Sequence, residues 1–527
     1  MLARVFTSLA LLLLGATALF ARDDIPETAL SSPLDAAIFL NSKNDRAVDP
    51  EWLAESLFIA RRYDDIRVVA NNARNDYERF LILAKTGSKL LDLGERATAL
   101  TFINEAYEIA KRDGDWSDSQ SKWLLPSMIR LGKDGEAREV IGFEEDNEDK
   151  ARLVLSGAET YLKIERDAEA REWLKLADEM RPSLDDVYLS FLATMYQKLK
   201  MKAEAVSVVE TIVERAEQET DKNRRAQTYA RLAVLFVKFN DWSLAERYWS
   251  RYEREADFED ILGYAIALSE NGRPETATAH FSRLESDTEG LRRSGKWLVD
   301  YYVRKERIPK ALRIAKMISS DVDSYEQQKA LMAIADYYLR KGHNPRAIEI
   351  INYAFDRARR IVYSHRTQDS IGASPGSRKG QYLNAIADRL IELKMFDRAL
   401  EVRMAIEADH DLARESLAKG FMNYAKQMVQ SLPRGRINSL IARSNQLVKD
   451  DDHCSIEIKI ATAEIHALLN EKTKAAELLS EAILLGVESC CYEEEALLFA
   501  GQVFETYKLQ STPELKNALL TLINDQI

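Results

Sequence analysis

The sequence predicts an all-α chain of stacked helical hairpins, an α-solenoid, and three observations predict it. Apolar residues recur at helical spacing, as from Leu331 to Leu339 and again from Ala347 to Phe355. Small residues suited to close helix crossings return at a nearly constant interval. Eleven Pro and twenty Gly in 527 residues, with 30% of residues charged, favour long helices over sandwiches or barrels.

Residues 329–355 show the unit. Gly342 supplies a helix stop, and Pro345 suits the first turn of the next helix. Ala335 and Ala347 then fall where the two helices cross, with Tyr338 and Ile351 filling the volume on either side. The small residue that opens each second helix forms a ladder: Ile66, Ala99, Ala137, Ala170, Ala205, Ala245, Ala277, Ala311, Ala347 and Ala399. Successive separations are 33, 38, 33, 35, 40, 32, 34, 36 and 52. Its crossing partner twelve residues earlier is Ala54, Gly87, Ala158, Ala193, Ala233, Ala265, Ala335 and Ala387, and is lost at Leu125 and Val299. An aromatic follows three residues on at Tyr161, Tyr196, Phe236, Tyr302 and Tyr338.

The best single copy is 229–252, with Tyr229, Leu232, Ala233, Phe236, Trp242, Ala245 and Trp249. This pattern resembles the tetratricopeptide repeat, whose period is about 34 residues, over residues 50–410. The resemblance implies a right-handed superhelix with first helices lining a concave face and second helices outside. It also implies a scaffold or adaptor that binds a protein or extended peptide along that face.

Along the chain, residues 1–21 read as a signal peptide. Arg4 supplies the positive start, Val5 to Leu14 the apolar core, and Ala16–Ala18 or Leu19–Ala21 the small-residue cleavage site. The competing reading is an uncleaved anchor helix. Residues 22–50, with Pro26, Pro33 and Pro50, read as a tail or irregular first helix. The array proper is 51–410, interrupted by a Gly/Ser/Pro loop at 364–380. Residues 411–527 carry degenerate repeats and capping helices, with one clear copy marked by Ala463, Ala475 and Ala482. With this signal the mature chain is expected to be exported, periplasmic or secreted, and no later stretch is long and apolar enough to span a membrane.

Composition narrows the partners. A formal net charge of −12 with no Lys/Arg-rich tract excludes general nucleic-acid binding. Apparent active-site motifs have bland explanations. Gly290-Leu-Arg-Arg-Ser-Gly295-Lys296 mimics a phosphate loop, but Trp297 replaces the hydroxyl residue and no strand precedes it. Gly372-Ala-Ser374-Pro-Gly376 matches a nucleophile elbow, yet lies in the loop with Pro after the Ser. The three cysteines are Cys454, Cys490 and Cys491, at adjacent ends of one hairpin. A disulfide from Cys454 to Cys490 or Cys491 suits an exported chain and would stabilise by about 3–4 kcal/mol. Three free thiols, or a metal site of His453, Cys454, Cys490 and Cys491, are the alternatives.

In the resembled family the thirteenth repeat position points into the groove. Here it reads Asp92, Arg130, Lys163, Lys198, Lys238, Glu270, Arg304, Arg340 and Glu392. Arg130, Lys163, Lys198, Lys238, Arg304 and Arg340 therefore form a basic stripe on an acidic protein, suited to an acidic peptide and sensitive to salt. The bland account is a row of solvated helix residues. Trp123, Trp173, Trp242, Trp249 and Trp297 are expected to be packing residues. The expected function is a non-catalytic, cofactor-free adaptor of open oligomeric state. The alternatives are a self-assembling structural envelope component, or an enzyme or metal protein using the Cys/His cluster.

Overall fold

A computed structural model describes residues 25–43, 48–113, 118–144, 146–318, 325–359, 375–406, 411–448, 452–489 and 492–526. No strand occurs among them. A 3-10 turn at Glu27–Leu30 leads into α1 (Pro33–Lys43). Hairpins follow: α2 (Pro50–Ile59) with α3 (Tyr63–Asn71), α4 (Asp76–Asp92) with α5 (Arg96–Asp113), and α6 (Asp118–Leu131) with α7 (Asp134–Phe143). Next come α8 (Asn147–Lys163) with α9 (Asp167–Glu179), α10 (Asp186–Lys198) with α11 (Lys202–Gln218), and α12 (Lys222–Lys238) with α13 (Trp242–Tyr252). Then come α14 (Phe258–Glu270) with α15 (Pro274–Ser286), α16 (Thr288–Arg304) with α17 (Ile308–Met317), and α18 (Tyr325–Arg340) with α19 (Asn344–Arg359). The last hairpins are α20 (Pro375–Glu392) with α21 (Phe396–Met404), α22 (Asp411–Gln427) with α23 (Arg434–Val448), and α24 (Asp452–Leu468) with α25 (Lys472–Ser489), followed by α26 (Glu493–Thr506) and α27 (Pro513–Gln526), which each pack against α25. The described residues form an all-α array built of helical hairpins.

Two compact units result, one from Met128–Ser416, the other from Met1–Ser127 with Leu417–Ile527. In both, the hairpins follow one local recipe. First helices begin on a side-chain cap: Asp49, Asn75, Asp146, Asp185, Asp221, Asp257 and Asp287 each accept a first-turn backbone N–H. They end on a residue of positive φ, five before the rung of the ladder. These are Arg61, Gly94, Gly132, Glu165, Lys200, Asn240, Gly272, Glu306, Gly342 and Lys394, with Asn470 and Lys508 continuing the series beyond it. The next backbone N–H bonds back into the helix, as Met201 to the Tyr196 carbonyl at 2.9 Å and His343 to that of Tyr338 at 2.8 Å. That left-handed turn reverses the chain in a fixed number of residues, which is why the ladder keeps its period.

The crossing residues are buried as the ladder requires: Ala99, Ala137, Ala170, Ala205, Ala277, Ala311, Ala347 and Ala399 are all 0% exposed. At Gly157 an added Cβ would lie 2.2 Å from the Trp173 ring, so nothing larger than Gly fits. The neighbouring aromatics satisfy their hydroxyls inside the fold. Tyr196 donates to the Leu174 carbonyl at 2.9 Å, and Tyr302 to Glu285 at 2.7 Å. The segment 364–380 divides: Pro375 opens α20, and 364–374 lie outside the described residues.

The unit holding both chain ends closes on itself. Helix α26 packs against α1 and α2, and α27 against α1. Leu34 of α1 covers Gly501, where a Cβ would come within 2.6 Å of it. Arg62 joins Asp35 at 2.6 Å, Asp65 at 2.6 Å and Glu505 at 3.1 Å. The Asp49 N–H donates to Glu494 at 2.7 Å, and Gln502 to the Ser56 hydroxyl at 3.0 Å.

Candidate functional site

All six basic residues of the stripe sit in the last turn of a first helix: Arg130 in α6, Lys163 in α8, Lys198 in α10, Lys238 in α12, Arg304 in α16 and Arg340 in α18. A cation there complements the partial negative charge at the helix C-terminus, worth about 0.3–1 kcal/mol with or without a ligand. The stripe thus has a local cause, and its members differ in surroundings. Lys163 pairs with Glu159 at 3.1 Å on its own helix. The Gln197 side chain donates to the Lys238 carbonyl, tying α10 to α12. Burial lowers the pKa of the Lys238 ammonium, and the like charge of Lys198 lowers it further. Arg304 and Arg340 are exposed, and no hydrogen bond or ion pair joins either guanidinium to the described residues.

These two arginines border a pocket of about 650 Å³ across α14, α16 and α18. Helix periodicity puts its lining on one face of each helix: Glu259, Leu262, Gly263 and Ile266 on α14, Trp297, Asp300, Val303 and Arg304 on α16, Ala333, Asp336 and Arg340 on α18. Most of its carboxylates are already engaged. Asp300 pairs with Lys296, and Asp336 with Arg389 at 2.9 Å. Glu259 accepts from the Ser294 hydroxyl at 2.9 Å, near the start of α14 and away from the arginine end. What remains is an apolar concavity, ligand-sized by volume, with free guanidinium groups at one rim.

Trp297 is 58% exposed and stands in this wall, with the Lys296 ammonium 5.0 Å from its ring centroid. The expectation that it is a packing residue is therefore corrected, as it is for Trp123, 38% exposed. Trp173 and Trp249 are buried as expected. The distinguishing signal was in the sequence: Trp52, Trp123 and Trp297 each stand two residues before a crossing residue, at Ala54, Leu125 and Val299. That position turns away from the hairpin core, and Trp52 is likewise 54% exposed. Gly263 and Ala333 share it, two before Ala265 and Ala335.

Gly290 to Lys296 is continuous helix within α16, where Gly290 packs against Phe258. Cys454 is buried in α24, and His453 meets Glu495 at 3.0 Å beside the Tyr492 ring. Cys490 and Cys491, and with them the disulfide and the metal alternative, lie outside the described residues, as do residues 1–24.

No protein family matches the chain, and no curated protein is significantly similar to it. Among solved structures it is similar to Ton1535 from Thermococcus onnurineus NA1, at 14% identity over 78% of this chain and 98% of that one, TM-score 0.24. It is similar to yeast Tom70 at 13% identity over 84% of this chain and 99% of that one, TM-score 0.25. For the Cut9–Hcn1 hetero-tetramer of the APC/C the values are 14%, 89%, 95% and 0.22. The fold rests on the hairpin ladder itself.

Proposed function

We propose that the chain is an exported repeat scaffold that binds an acidic protein segment along the face of its first helices and has no chemistry of its own. The observation that carries this is the α14–α16–α18 pocket, where Arg304 and Arg340 edge an apolar hollow without partners among the described residues. Lys198 and Lys238 support it, because two like charges held close on adjacent helices favour an anion between them. Export rests on the apolar stretch after Arg4, which reads as a signal peptide.

The test uses fluorescently labelled acidic and basic peptides of equal length, with anisotropy read at low and high salt. Acidic peptides are expected to bind, to weaken as salt rises, and to lose affinity for the Lys198→Glu/Lys238→Glu/Arg304→Glu protein. Unchanged affinity in that variant, or preference for the basic peptides, would overturn the proposal. The self-assembling alternative predicts an oligomer that grows with concentration in light scattering. It has less surface to use, since α26 is covered by α1 and α2.

A further inference from the structure

We infer that the α14–α16–α18 pocket is a specificity pocket for an aromatic side chain, carried about three residues from a carboxylate on the bound segment. This rests on the peptide-binding reading above and adds the identity of the anchor. A rim of arginine alone would select only for charge. Here the rim encloses a hollow of about 650 Å³, far more than one carboxylate fills. Its floor is Leu262, Ile266 and Val303, and its wall the half-exposed Trp297 indole. A large aromatic ring left in water in the lining of a concave site marks where a partner's apolar group is taken up.

The opposite wall is made to be open. Gly263 occupies the repeat position that Trp297 holds on α16, and a Cβ built there meets nothing within 4 Å. A flat ring entering beside Gly263 stacks on the indole, whose Lys296 neighbour is held by Asp300. The geometry along α16 sets the spacing. Trp297 and Arg304 are seven residues apart, about 10 Å at the α-helical rise. An extended segment covers that span in about three residues. The carboxylate belongs at the Arg304/Arg340 end, because Glu259 holds negative charge at the other.

The experiment compares two labelled acidic peptides that differ only in Phe or Ala three residues before an Asp, against the mature chain and two variants. Gly263→Leu fills the pocket at a site with room for the side chain, and replacing Gly also favours the helix. Trp297→Ala removes the wall from an exposed position. The Phe peptide is expected to bind the parent chain about tenfold more tightly than the Ala peptide. Both variants are expected to abolish that advantage, so that on either protein the Phe and Ala peptides bind equally. Equal binding of the two peptides to the parent would overturn the pocket and leave the peptide-binding reading standing. So would a Phe preference that survives Gly263→Leu. Phenylacetate binding as tightly as the Phe peptide would replace the peptide occupant with a free aromatic acid. If neither peptide binds at all, the peptide-binding reading fails, and this inference with it.

Discussion

The turn residues show how much of the fold one backbone angle carries. Lys200 and Glu306 hold φ of 61° and 55°, where Gly94 and Gly342 in the same turn hold 80° and 72°. A side chain in that region costs about 1–2 kcal/mol, partly offset by the greater unfolded-state freedom of Gly. Lys200→Gly and Glu306→Gly are each expected to stabilise by about 0.5–1 kcal/mol, and Gly342→Ala to destabilise, read as shifts in the urea midpoint. The four glycines were legible in the sequence as turn markers; the eight other residues were not, because local type barely signals αL when the hairpin imposes it. Lys238 offers a second test. Its pKa is lowered in the fold by burial and then by Lys198, so its charge weighs against the folded state throughout the pH range below the lowered value. That weight lifts as pH rises towards the ordinary 10.5. Lys238→Met is therefore expected to stabilise at pH 7 and to lose its advantage in strong alkali. A loss of stability at pH 7 would mean that the ammonium has a compensating partner.

At the scale of the helix, crossing positions were readable because only a small residue permits close approach, and the period repeats that constraint. The faces turned away from the hairpin core were not equally readable. Aromatic type at helical spacing does not separate Trp297, exposed, from Trp173, buried; the register two residues before a crossing does, and it is recognised as an outward face only once the hairpin is folded. The stripe of Lys and Arg was found from the repeat pattern, but its helix-terminal placement gives it a structural reason that pattern alone did not separate from binding. Likewise α1 carries several prolines in its surroundings and reads as an irregular start. It is a regular helix because Leu34, Ala37 and Leu40 pack at 0–1% exposure, with α26 and α27 as its partners from the other end of the chain. The contact at Gly501 is tight enough that Gly501→Ala is expected to destabilise by about 1–3 kcal/mol. Amide exchange should quicken in 33–43 first. Exchange confined to the neighbourhood of residue 501 would show that α1 is held by its other contacts.

At the scale of the molecule, most contacts in the array are local, between a helix and its neighbours in sequence. The closure of α26 onto α1 and α2 is not, since residues 128–416 intervene. Closing so long a loop costs about 2 kcal/mol more than closing a single repeat, by the logarithmic dependence on length. Apolar burial at Leu34 offsets it, together with the Arg62–Glu505 pair and the Gln502–Ser56 and Asp49–Glu494 hydrogen bonds. Glu494 makes this junction sensitive to pH. Burial raises its pKa above the ordinary 4.5, and the hydrogen bond from Asp49 only partly opposes that. A raised carboxyl pKa contributes stability that is complete below the unfolded value and is lost as pH rises through the folded one. Glu494→Gln keeps an acceptor for the Asp49 N–H and removes the buried charge. It is expected to stabilise the parent at pH 7 and to be neutral below about pH 4.5, the ordinary value. In a chain ending at residue 492 the junction is gone, and residues 33–59 are expected to exchange their amides rapidly while 146–318 stay protected. Protection of 33–59 undiminished by that truncation would mean that the N-terminal helices stand on their local hairpin contacts, and that the long-range junction contributes nothing to them.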